Sequence, residues 1–471
     1  MRHCLLLVLF SLLTGPMQGA FAQDDTLAVT AEAAIRRSLK VSPEIDVNEA
    51  QQNYAEARYS QARASRFLTE FQTTTGHAAA PGLEGVPSGA PKDELYLEPE
   101  VDNDWTDPRP YNQIEYEALQ PIWTWGELSG NIDAAEHGIA VEAAKTRSKA
   151  LEVAFRTGEL YYNVLLAEEL YRIAEETGSI VERAKSQINE LLQDTTATDV
   201  DQADLFQVRL TEQEYRRRLV QVTQRRKTAR MGLRRQLFLP DSTLPLPEAP
   251  VLQPLDFDLR SLRHYLDLAL ANRPEIEQAE AGLAARNAQV EVARSDYYPK
   301  LFLRVDGGAR YAAGRYKQEN AYISDNYLGS SLRAGLGFRQ QLNFFQTEAK
   351  VEQAEAQRNE VRYQQEAARQ LALAETEEAY REVVAKRTAV QARDTSLTIS
   401  KEWLRTEQVS FDLDLPDSDT ENLVKAVRRN LELQASYYET VKAYNVAVLK
   451  LLRVTGVLAR RARSGTLVDD S

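Results

Sequence analysis

Cysteine is almost missing from this sequence: Cys4 is the only one in 471 residues, and it sits in an apolar stretch at the N-terminus. A single thiol forms no intramolecular disulfide. If a leader carrying Cys4 is removed, thiolate metal sites, cysteine nucleophiles and a lipid anchor on an N-terminal cysteine go with it. Histidine is nearly as scarce. His3, His77, His137 and His264 are scattered, with no partner at metal-ligand spacing; Asp133 and His137, four apart on a helix, read as a surface pair. No catalytic arrangement emerges, so neither an enzyme nor a cofactor is expected. Positive charge is in deficit as well, with 57 Lys and Arg against 70 Asp and Glu and a formal net charge of −13. Nucleic acid demands a basic footprint, so it is not an expected partner. Beyond the N-terminus no apolar run reaches transmembrane length, and even Val446 to Leu452 is broken by Lys450. If the mature chain enters a membrane, the remaining route is a β-barrel.

The N-terminus carries an address. Arg2 and His3 precede the apolar run Leu5 to Leu13, Gly15 and Pro16 break it, and Ala20-Phe21-Ala22 offers the small-x-small pattern of a signal peptidase site. Residues 1–22 are therefore expected to be a signal peptide cleaved after Ala22.

Two hydrophobic periods alternate along the rest. From Leu301 to Tyr311 the odd positions Leu301, Leu303, Val305, Gly307, Ala309 and Tyr311 are apolar or small. The even positions Arg304, Asp306, Gly308 and Arg310 are not. From Leu328 to Leu342, one face holds Leu328, Leu332, Ala334, Leu336, Phe338 and Leu342, and the other Ser331, Arg333, Gly335, Gly337, Arg339 and Gln341. A period of two held for about ten residues is a strand of barrel length. Apolar residues outward and arginines inward suit a lipid-exposed wall around a wet lumen, and a half-buried soluble sheet has the same alternation. Weaker strands are expected at Phe67 to Thr75 and Asn112 to Ala118. Trp105, Tyr111, Trp123, Trp125, Tyr297, Tyr298, Tyr327, Phe344 and Phe345 cluster at strand ends, as an interfacial aromatic girdle does. Gly307-Gly308 and Gly335-x-Gly337 lie inside strands and are not phosphate loops.

Everything else reads as helix. Glu127 to about Leu192 and Gln346 to about Phe411 contain no proline and are rich in Ala, Glu, Lys, Arg and Leu. Shorter helices are expected from about Val200 to Leu237 and from about Ser418 to Val454, each separated from its long neighbour by an Asp-rich turn. Helices this long indicate coiled-coil-like packing, and their many alanines permit close approach. Prolines 240, 245, 247, 250 and 254 mark an extended linker between two similar halves. Ser42-Pro43-Glu44-Ile45 aligns with Arg273-Pro274-Glu275-Ile276, and Tyr161 with Tyr380. The expected division is residues 23–237, first repeat; 238–258, linker; 259–457, second repeat; and 458–471, a flexible tail.

Over nearly all of this length the chain resembles the TolC-like outer membrane efflux proteins. The most specific stretch is Leu266-Asp267-Leu268-Ala269-Leu270-Ala271-Asn272-Arg273-Pro274-Glu275-Ile276, followed by an Ala-rich helix and by Tyr298-Pro299-Lys300-Leu301 opening a strand. Gln120-Pro121-Ile122 and Gln341-Leu342-Asn343-Phe344-Phe345 resemble the strand-to-helix transitions; Gly126 matches the usual glycine and Gln346 does not. The resemblance implies a mainly α fold with a small membrane β part. Long coiled-coil-like helices would form an α-barrel in the periplasm, and four strands per protomer would contribute to a twelve-stranded β-barrel of a homotrimer in outer-membrane lipid. It implies a passive export duct that docks a periplasmic adaptor and an inner-membrane transporter. The competing expectation is a soluble periplasmic coiled-coil scaffold. In the family the helix-hairpin ends close the periplasmic mouth and aspartates form rings there. The corresponding candidates here are Asp412, Asp414, Asp417 and Asp419 in one turn, and Asp194 and Asp199 in the other. Aspartate is also the ordinary residue of turns and helix N-caps.

Overall fold

The computed structural model describes residues 25–83, 103–193, 202–315, 325–413 and 420–467. The first half runs β1 (Asp25–Val29), α1 (Ala31–Val41), α2 (Pro43–Ala64), β2 (Glu70–Leu83), β3 (Asn103–Trp123), α3 (Glu127–Leu191) and α4 (Gln202–Gln236). The second runs β4 (Thr243–Pro247), α5 (Leu262–Asn272), α6 (Pro274–Ser295), β5 (Lys300–Ala312), β6 (Gly329–Arg339), α7 (Phe344–Asp412), α8 (Thr420–Val454) and α9 (Leu458–Ser464). The halves correspond closely: α1 and α5 have 11 residues each, α2 and α6 have 22, and α4 and α8 have 35. Proline sets the first break in both. Pro43 and Pro274 occupy the first turn of α2 and α6, where a missing N–H costs nothing, and the preceding Ser42 and Arg273 are extended, as a residue before proline prefers.

With no proline to interrupt them, α3 and α7 run for 65 and 69 residues. At about 1.5 Å per residue each is on the order of 100 Å long. They pack with α4 and α8 respectively, and α3 also packs on α8. The main core lies midway along the long helices. There α1, α9, Leu252 and Phe257 of the linker, and Tyr265 of α5 close around Val153, Tyr161, Val164, Val383, Leu449 and Leu452.

Three sequence expectations change. The linker is not wholly irregular: β4 pairs in parallel with β1, placing Leu27 opposite Pro245 and Val29 opposite Pro247. Proline is tolerated because a two-stranded sheet has only edge strands. Linker residues farther on are held by buried polar groups. Asn445, fully buried, donates to Gln253 O and accepts from Leu255 N, both at 2.8 Å. Glu169 accepts from Leu252 N at 3.0 Å. We expect Asn445→Ala to orphan two backbone groups and lower stability by roughly 2–4 kcal/mol, read as a fall in urea midpoint at unchanged slope.

Second, residues 458–467 are not a flexible tail. Leu458, Ala459 and Ala462 on one face of α9, and Leu467 beyond it, are buried against the core. The run Arg460 to Arg463 hid that apolar face. Third, the strands have other limits. β2 and β3 reach far past the alternating segments through Pro81, Pro108 and Pro110, and the ladder shifts register between Ala80 and Gly82. β6 stops at Arg339, short of Leu342, and Leu328 precedes it.

Ion pairs fasten the helices upstream of the strands. Arg156 on α3 holds Glu44 at the start of α2 at 2.8 and 2.9 Å. The hydrogen bond from Arg156, with its charge, lowers the Glu44 carboxyl below the ordinary range. A depressed folded pKa stabilises above the unfolded value of about 4.3 and loses that effect as pH falls through the folded one. Glu44→Gln should therefore lower Tm at pH 7, and the gap to the parent should close as the medium is acidified below about pH 4.

Candidate functional site

The four-stranded sheet has the order β2-β3-β5-β6, antiparallel throughout. Residues opposite each other share a face, so the register sorts the side chains. One face carries the rows Phe71-Ala118-Val305-Ala334, Thr73-Tyr116-Gly307-Leu332 and Thr75-Ile114-Ala309-Ser330. The other carries Gln72-Glu117-Asp306-Arg333, Glu70-Leu119-Arg304-Gly335 and Thr74-Glu115-Gly308-Ser331. Of the lipid-facing candidates, Leu301, Leu303 and Val305 lie on the first face of β5 opposite Phe338, Leu336 and Ala334 of β6. Leu332, Leu336 and Phe338 are 70%, 70% and 78% exposed. Leu328 falls in the turn before β6 and is half-buried. A large hydrophobic face left open in this way marks an interaction surface.

Aromatic residues gather at both ends of the strands. At the helix-proximal end Trp125 stacks on Tyr298 at 4.9 Å, meets Trp123 edge-on at 5.9 Å, and donates from its indole N–H to Pro299 O at 2.9 Å. The chain turns there from β3 into α3 through Trp125 and Gly126, both at positive φ (53° and 97°). Gln120 accepts from Leu68 N at 2.6 Å and donates to Arg66 O at 2.9 Å, which ties the entry of β2 to the exit of β3. At the distal end Tyr111 and Tyr327 meet edge-on at 5.7 Å.

Two polar constellations were not singled out from the sequence. Arg315, 1% exposed, pairs with Asp325 at 2.9 Å and donates to Pro81 O, to Gly82 O at 3.2 Å and to Asn103 Oδ1 at 2.9 Å, with its guanidinium over the Tyr327 ring. One buried cation thereby gathers the distal ends of β2 and β3 and the segment leading into β6. Nothing in the spacing of Pro81, Gly82, Asn103 and Asp325 relative to Arg315 announces it. The second is a chain of ion pairs across the polar face: Glu117 to Arg304 at 3.0 Å, Arg304 to Asp306 at 3.4 Å, and Asp306 to Arg333 at 2.8 Å. Its arginines were visible as alternating positions, but their partners appear only with the register.

At the opposite end of the molecule, Phe411 near the end of α7 packs against Leu423 and Val427 of α8 and also against Ile188 of α3 and Leu205 and Val208 of α4. The ends of the two helix hairpins therefore lie side by side. Of the entrance candidates, Asp412 is the last residue of α7. Asp414, Asp417, Asp419, Asp194 and Asp199 lie outside the described residues. Among the described residues no helix is long and apolar enough to cross a membrane, and no cluster of three or more His, Cys, Asp or Glu could hold a metal ion.

This geometry has known counterparts. The sequence model of the family described as outer membrane efflux protein matches residues 265–415. The pyoverdine export outer membrane protein OpmQ of Pseudomonas putida is 29% identical over 234 residues, 49% of this chain and 47% of that protein. The match thus spans about half the length of that curated relative. The crystal structure of the Campylobacter jejuni CmeC outer membrane channel superposes with a TM-score of 0.71 at 14% identity, over 93% of this chain and 90% of that one. A membrane protein from Pseudomonas aeruginosa superposes with a TM-score of 0.71 at 16% identity, over 96% of this chain and 100% of that one. At these identities the superpositions speak for the fold.

Proposed function

We propose that the chain is an outer membrane efflux protein, a passive outer-membrane export duct with its helical part in the periplasm. One observation carries the reading: a sheet with an apolar face, on which Phe71, Leu332, Leu336 and Phe338 are exposed, stands at one end of helices about 100 Å long, and its two edges, β2 and β6, have no partner strand among the described residues. In hydrocarbon each unsatisfied backbone group costs several kcal/mol, so four strands are stable there only when further copies close the cylinder. Three copies give twelve strands, a homotrimer. The helices below continue the conduit toward a periplasmic adaptor and an inner-membrane transporter, which supplies the energy. OpmQ is described as exporting pyoverdine, which makes that compound the first cargo to try.

Fractionation tests the reading. The mature protein should stay with the outer membrane through osmotic shock and need detergent for release. Quantitative release by the shock alone would favour the periplasmic scaffold.

The side-by-side hairpin ends support an entrance role for the two aspartate turns, since threefold symmetry multiplies any inward carboxylate by three. A ring of carboxylates concentrates cations and repels anions. Changing Asp412 and Asp414 together to Asn should lower cation selectivity in planar bilayers by roughly severalfold and weaken block by multivalent cations. Unchanged selectivity and block would remove the ring.

A further inference from the structure

The polar face of the sheet is divided by sign of charge. On β2 and β3, within the regular ladder, its ionisable residues are Glu70, Glu115 and Glu117 over the middle of the strands, and Arg109 at the distal end, which pairs with Asp107. On β5 and β6 they are Lys300, Arg304, Arg310, Arg333 and Arg339, with Asp306 the one carboxylate among them. The ion pair from Arg304 to Glu117 lies on the boundary between the two strand pairs, and Asp306 is clasped by Arg304 and Arg333. Away from that boundary Arg109 pairs with Asp107, and Lys300 with Glu127 and Asp296; the other charges stand alone among the described residues. Glu70 and Glu115 have no cationic partner among the described residues. Among the described residues Arg310 donates only to the carbonyl of Asn326, and Arg339 rests over the Phe302 ring.

We propose that the lumen of the barrel is lined by alternating acidic and basic stripes, one pair per copy, and that this wall engages solutes carrying both signs of charge. The inference rests on the duct reading, which places the polar face in the lumen. Closing the barrel sets the β6 edge of one copy against the β2 edge of the next, so every basic stripe is flanked by acidic ones. Adjacent strands are about 4.8 Å apart, which puts stripe centres roughly 10 Å apart. That is comparable to the Debye length of about 10 Å at 0.1 M salt, so the two potentials remain distinct in the lumen. A solute of one sign is attracted by one stripe and repelled by its neighbours. A dipolar solute with charges about 10 Å apart satisfies both. The chemistry implied is a zwitterionic or mixed-charge molecule, a peptide for example.

Single thiols can read each stripe separately in the full-length protein carrying Cys4→Ser. Thr74 lies beside Glu115 on the acidic stripe and Ser331 beside Arg333 on the basic one, and both are exposed. Thr74→Cys and Ser331→Cys are each treated with a trimethylammonium and a sulfonate methanethiosulfonate. Taking the ratio of the two rates at one thiol cancels the reactivity of that thiol. We expect the cation-to-anion ratio to be on the order of tenfold higher for Thr74→Cys than for Ser331→Cys in 0.1 M salt, and the difference to vanish in 1 M salt. A peptide of three arginines followed by three glutamates should slow modification at both sites. Triarginine should slow it only at Thr74→Cys, and triglutamate only at Ser331→Cys. Equal ratios at the two sites would overturn the stripes, and failure of the mixed peptide to protect both would overturn the dipolar preference. If neither thiol reacts until the protein is denatured, the polar face is not wet, and the duct reading falls together with the stripes.

Discussion

Gly456→Val should prevent accumulation of folded protein, and Gly456→Ala should lower stability by roughly 3 kcal/mol. Gly456 follows α8 with φ at +77°, and its N–H bonds back to Arg453 O while that of Val457 bonds to Leu452 O, the pattern of a glycine-terminated helix. An L side chain in this conformation costs about 1–2 kcal/mol. There is also no room for one. A Cβ on Gly456 would stand 2.3 Å from the carbonyl oxygen of Asn272, a backbone atom at the end of α5 that cannot swing aside. Overpacking adds about 1–3 kcal/mol. Because the site joins α8, α9 and α5, the damage spreads through the main core. The control is Gly138→Ala in α3, where nothing lies within 4 Å of the new Cβ and no left-handed φ is involved. That change should stabilise by up to about 1 kcal/mol. Urea midpoints of the detergent-solubilised protein check both.

Leu336→Arg and Gly335→Arg place the same charge on adjacent residues, and only the first should be severe. Leu336 stands on the apolar face opposite Leu303, whereas Gly335 stands on the polar face opposite Arg304 with nothing within 4 Å of a Cβ. In lipid, an arginine on the outer face of a barrel costs about 2–4 kcal/mol near the midplane, once per copy. In the lumen it meets water, and the cost should stay below about 1 kcal/mol despite the nearby Arg304. Unfolding in lipid vesicles measures the difference. If the two variants are equally stable, the apolar face does not touch acyl chains.

Legibility in the sequence followed the number of residues sharing one signal. The long helices were readable because more than sixty consecutive residues lack proline in each, and β5 because six alternating positions agree. β1 was invisible: five residues placed just after a presumed cleavage site carry too little pattern, and its partner β4 contains Pro245 and Pro247. The helix α9 was hidden by its arginines, although Leu458 and Ala462 are spaced for one buried face. The distal parts of β2 and β3 escaped because Gly76 to Ala80 carries no apolar-polar alternation, and beyond Ala80 a bulge shifts the register. The Arg315 hub and the buried brackets at Glu169 and Asn445 join residues 80 to more than 200 positions apart, a relation that no local spacing encodes. For the aspartate turns, the helix ends were readable within one or two residues, but which carboxylates face inward depends on neighbouring copies.

The central claim is that one face of the β2-β3-β5-β6 sheet meets lipid and the other meets water. Nitroxide labels placed singly at residues 331 to 338 of a cysteine-free background, reconstituted in bilayers, test it residue by residue. The claim predicts alternation. Labels at 332, 334, 336 and 338 should be open to oxygen and shielded from an aqueous nickel chelate, and those at 331, 333, 335 and 337 should show the reverse. Uniform access of the nickel chelate along the whole strand would contradict it.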